Sequence, residues 1–86
     1  MKIYMKPIQV YALWKENGHI CPMAFCLERD GEKYKIAIVS VNGSREERLA
    51  GQKVIYFDCV VNDGYFEKVV CLRYDIRDHC WYLYKA

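Results

Sequence analysis

Four dipeptides punctuate the chain: Asn17-Gly18, Asp30-Gly31, Asn42-Gly43 and Asp63-Gly64. Such pairs take positive φ at little steric cost, which is what a tight turn between two right-twisted strands needs. Between them, apolar and polar residues alternate with a period of two, the pattern of strands with one face buried. The turns and the alternation together predict an all-β protein, a small antiparallel meander of five to six strands.

Side-chain parity assigns the faces. Ile8, Val10, Ala12 and Trp14 share one face of a strand that starts near Pro7, and Met23, Phe25 and Leu27 share one face of the next. Tyr34, Ile36 and Ile38 continue the inner surface, followed by Ile55, Phe57, Cys59 and Val61, then Phe66, Val70, Leu72 and Tyr74, then Trp81 and Leu83. The stretch from Asn42 to Gln52 breaks this rhythm. Ser44-Arg45-Glu46-Glu47 matches a capping box, and Gly51 supplies a stop, so one short helical turn is expected in a central loop. Strands of this number laid flat would leave adhesive edges. Curling into a partly open barrel of the SH3-like kind, or a strongly twisted sheet, removes them.

With 86 residues the chain forms a single domain, 1–86, able to bury about 60–65% of its unfolded surface. Thirteen basic and eleven acidic side chains leave a formal charge of +2 with the signs interspersed, unlike the basic stripe of a dedicated nucleic-acid binder. Met1–Pro7 holds no continuous apolar stretch of the secretion-signal kind, and no segment approaches the ~18 apolar residues of a membrane span. A cytoplasmic setting is expected, with no membrane partner. The odd set Cys21, Cys26, Cys59, Cys71 and Cys80 then reads as reduced, small strand residues.

Chemistry finds little purchase. Structural zinc sites use close Cys-x₂₋₄-Cys pairs, and no Cys-x-x-Cys occurs here. His19 precedes Cys21, and His79 adjoins Cys80, whose side chain would leave a strand on the opposite face. No base–nucleophile constellation stands out; Glu46-Glu47 reads as a solvated pair. The expectation is a non-enzymatic protein without metal or cofactor. Asp58 sits within an apolar strand, on the parity of Val54, Tyr56 and Val60, where a solvent-facing side chain would pair with a Lys or Arg on the next strand.

Tyrosine is the better clue. Tyr11 and Leu13, Val54 and Tyr56, and Tyr82 and Tyr84 fall on the parity opposite the core. Outward tyrosines either form cross-strand pairs or, when clustered, make a recognition patch. The expected function is protein interaction, with strand addition at a sheet edge as the mode. Tyr56, Tyr82, Tyr84 and Tyr11 are the candidate anchors, Arg45, Arg48 and Lys53 the charged rim, and the Asn42–Gln52 loop the specificity element. The same surface would serve a homodimer. The alternative is weak binding of DNA or RNA, since Arg29, Lys33, Lys35, Arg45, Arg48, Lys53, Arg73 and Arg77 interleave with Tyr34, Tyr56 and Tyr74.

Pro7-Ile8-Gln9-Val10, the Gly18-x-x-x-Pro22 spacing, Gly31-Glu32-Lys33-Tyr34, the segment Ser44–Gly51, Leu72-Arg73-Tyr74-Asp75 and Trp81-Tyr82-Leu83-Tyr84 together resemble small uncharacterised bacterial all-β domains. Some of these are encoded near translesion DNA polymerases, so the resemblance implies a setting in DNA damage tolerance. Some also carry a Trp-Arg pair where this chain has Phe25-Cys26, so a basic site they share does not carry over to those positions.

Overall fold

The computed structural model describes residues 1–62 and 64–86. Six strands follow one another: β1 Ile3–Trp14, β2 Ile20–Arg29, β3 Glu32–Leu49, β4 Gln52–Asn62, β5 Glu67–Asp75 and β6 Cys80–Lys85. Each pairs antiparallel with its sequence neighbours, and β1 pairs with β6, closing the barrel rather than leaving it partly open. No helix is long and apolar enough to cross a membrane among the described residues.

The hairpin turns obey their glycines. Asp30 and Gly31 both take positive φ (53° and 79°) between the paired Arg29 and Glu32, as a two-residue primed turn requires. At the β1–β2 turn, Gly18 has φ 85° and the Asn17 side chain accepts the His19 amide proton at 3.0 Å. The expected Asp63-Gly64 turn rests on Asp63, which lies outside the described residues.

The central loop and its helical turn do not form. Asn42–Leu49 continues β3, and Ser44, expected to cap a helix, sits opposite Phe57 of β4. The reversal comes later, at Ala50-Gly51, whose φ values of 51° and 82° make a second two-residue turn between Leu49 and Gln52. Cross-strand pairing with β4 outweighs the local capping signal. Asn42-Gly43 is no turn either: Val41 pairs with Cys59 and Gly43 with Asp58, so Asn42 is the extra residue of a bulge. A second bulge at Val39 lies between Ile38 and Ser40. Bulges bend a strand and raise its twist, and here they swing β3 from β2 toward β4.

The interior follows parity over most of its length. Phe25, Phe57, Cys59, Val61, Val70, Leu72, Tyr74, Trp81 and Leu83 form the main core, with Ile8, Val10, Ala12, Ile36 and Ile38 packed against it. Four residues read as inward are exposed instead. Met23 is the bulged residue opposite the Tyr11/Ala12 step, which turns its side chain out. Trp14 and Tyr34 lie near strand ends, and Phe66 precedes β5. β1 also starts at Ile3 rather than near Pro7, past an irregularity between Ile3 and Lys6 where Met5 has φ 46°.

Candidate functional site

The outer face of β3–β6 carries most of the expected interaction residues. Cross-strand register aligns Arg45, Tyr56, Arg73, Tyr82 and Pro7 in one row over five strands. The Arg45 guanidinium lies 4.5 Å from the Tyr56 ring centre, Arg73 lies 5.9 Å from it, and the Tyr84 ring packs at 4.8 Å. Arg73 donates to Asp75 through Nε at 2.6 Å and Nη2 at 3.3 Å, a forked arrangement stronger than a single neutral bond.

The row satisfies itself. Tyr56 is only 3% exposed and forms a small second core with Val54 and Cys71, against which Tyr84 packs. The exposed outer face expected around Tyr56 is therefore covered. Burial pushes the Tyr56 hydroxyl up, with Arg73 opposing, and hydrogen bonding to Asp75 raises Arg73. Asp58 meets Gly43 and Cys71 across the strands, not the expected cation, and no ion pair holds it among the described residues. Tyr11 stands apart, under Lys35 at 4.3 Å.

A different feature emerges where β3 leaves β2. Their pairing ends at Ala24–Ala37, yet β3 runs on to Leu49 with β4 as its partner. Pro22, next to the point of departure, has no amide hydrogen to offer a neighbouring strand. In the resulting seam lies a depression of about 760 Å³, walled by Trp14, Ile20, Ile55, Phe57, Tyr74 and Ile76. Ser44, Arg45 and Glu46 also line it. Side chains alternate along a strand, so three consecutive lining residues mean that the backbone edge of β3 borders the cavity.

The aromatic wall is continuous with the core. Phe57 packs on Trp81 at 5.5 Å, Trp81 on Tyr74 at 4.8 Å, and Tyr74 meets Trp14 edge-on at 6.4 Å. Trp14 is 55% exposed, the one large ring of this series that solvent reaches freely. Both histidines of the chain lie at the rim, and His79 Nδ1 is 3.0 Å from the Tyr74 hydroxyl. Burial raises that hydroxyl above its ordinary value. Sequence reasoning weighed His19 and His79 only as metal or catalytic groups and placed Trp14 in the core. The signal for the seam was Pro22 within a strand pattern, which marks an unpaired edge.

Of the expected rim residues, Arg45 lines this cavity, while Arg48 and Lys53 pair with each other farther along the β3–β4 hairpin arm. The cysteines supply no reactive pair: all five are free, and burial pushes the Cys59 thiol up to about 12 and the Cys71 thiol up to about 11. No group of three or more His, Cys, Asp or Glu side chains is arranged to hold a metal ion among the described residues.

Fold and site together define a class: a closed six-stranded antiparallel meander barrel with an apolar notch at one strand seam. Comparison with known protein families, with curated proteins and with solved structures finds no match.

Proposed function

We propose that this protein is a non-enzymatic interaction module that binds an extended segment of a partner protein by adding it as a strand to the edge of β3. The observation that carries the reading is the unpaired backbone edge at Ser44–Glu46 bordering an apolar cavity. Strand addition uses both parts: main-chain hydrogen bonds supply affinity, and a pocket for alternate side chains supplies specificity. Trp14 is the anchor, because exposed tryptophans beside apolar pockets dominate binding energy at interfaces. The tyrosine row contributes rigidity to the arm rather than contact area, since Tyr56 is already enclosed by Arg45, Arg73 and Tyr84.

The test is selection from a displayed library of extended peptides, followed by NMR mapping of a selected sequence. The amides of Ser44–Leu49 and the Trp14 indole should shift together. Trp14→Ala should weaken binding by about ten-fold or more, with little dependence on salt. Absence of any selected peptide, or shifts confined to the outer face of β4–β6, counts against the reading. Binding of single-stranded DNA that collapses with salt would instead favour a nucleic-acid accessory.

A further inference from the structure

The hairpin arm carries an unbalanced charge beside the notch. Arg48 and Lys53 are direct cross-strand partners, and like charges placed opposite one another are unfavourable. Glu46 reaches Lys53 at 3.9 Å, with both side chains about half exposed. Arg48 has no ion pair among the described residues. Ser44, Glu46 and Arg48 share one parity, and Ser44 faces Phe57 while Glu46 faces Ile55, both of which line the cavity. The arm therefore runs from an apolar wall at Ser44 to an uncompensated cation at Arg48, about 13 Å along the strand at 3.3 Å per residue.

Resting on the strand-addition reading, we infer that the partner segment carries a large apolar side chain and, four positions away, an acidic one. The apolar residue enters the notch against Trp14 and Tyr74, and the carboxylate meets Arg48. A strand added to β3 places every second residue on the notch side. The residue beside Ser44 and the residue beside Arg48 are then four positions apart whichever way the segment runs. A spacing of three puts the acid on the opposite face.

Three synthetic peptides of about ten residues, a usual strand length with ends, decide this. All are built from threonine and valine with one phenylalanine. The first adds aspartate four positions from it on both sides, the second aspartate three positions from it on both sides, and the third asparagine four positions from it on both sides, so that either strand direction is served. Binding is read from the Trp14 indole resonance. The first peptide should bind about three- to five-fold more tightly than the others, the effect of one exposed ion pair. The advantage should shrink at high salt and vanish in Arg48→Gln. Equal binding of all three, or an advantage that survives Arg48→Gln, overturns the spacing while leaving strand addition intact. If no peptide shifts Trp14, both readings fall.

Discussion

Ala50 is the residue where local preference and fold disagree most openly. It occupies the left-handed region at φ 51° in a turn whose other central residue is glycine. An L-residue with a β-carbon is about 1–2 kcal/mol worse there, while asparagine tolerates it by bonding locally. Ala50→Asn should therefore stabilise the protein by roughly 0.5–1 kcal/mol, measured by chemical denaturation, with no change in the outer tyrosine contacts. The same residue explains why the sequence pointed to a helix. Asp30-Gly31 announces a primed turn, whereas Ala50-Gly51 reads as a helix end followed by its stop. Nothing in Ser44–Glu47 reveals that β4 would capture those residues as a strand partner, because that pairing is a tertiary choice.

At the scale of elements, β4 and β5 hold the protein's two buried thiols, Cys59 in the main core and Cys71 in the second one. Cys59 is fully buried and Cys71 nearly so, with thiols raised from 9.0 to about 12 and about 11. Burial disfavours the thiolate in the folded state, so the unfolded chain loses these protons first. Their contribution to stability is complete below pH 9 and is lost as pH rises toward 11 and 12. The raised hydroxyls of Tyr56 and Tyr74 act with the same sign. Denaturant midpoints should fall between pH 8 and pH 11, and less steeply in the Cys59→Ala, Cys71→Ala double variant; a flat profile in the parent protein contradicts the assignment. Strand identity was legible here because alternation in Ile55–Val61 and Val70–Tyr74 is strong. Burial on the second face was not, since it depends on Arg45 and Arg73 arriving from β3 and β5 to cover Tyr56.

For the whole molecule, the all-β antiparallel class was readable from the alternation, while closure was not. Joining β1 to β6 matches residues near the two ends of the chain, such as Ile8 with Trp81, and periodicity carries no information about such distant partners. The seam was hidden for the same reason: it exists because two bulges steer β3, and bulges at Val39 and Asn42 appear only in the register.

Closure has a mechanical consequence. Lys2 and Ala86 exchange two backbone hydrogen bonds, at 3.0 and 3.1 Å, so the ends of the described chain lie side by side on adjacent antiparallel strands. A load applied through both ends meets those bonds one after another, because they lie across the strands and along the direction of pull. The barrel should therefore unzip at low force, β1 peeling from β6 first. Attaching one handle at Lys2 and the other at Asp78, beyond the opposite end of β6, loads the same bonds in shear. Single-molecule pulling should then record a higher rupture force than the end-to-end pair; equal forces would mean that the β1–β6 closure is not the first contact to yield.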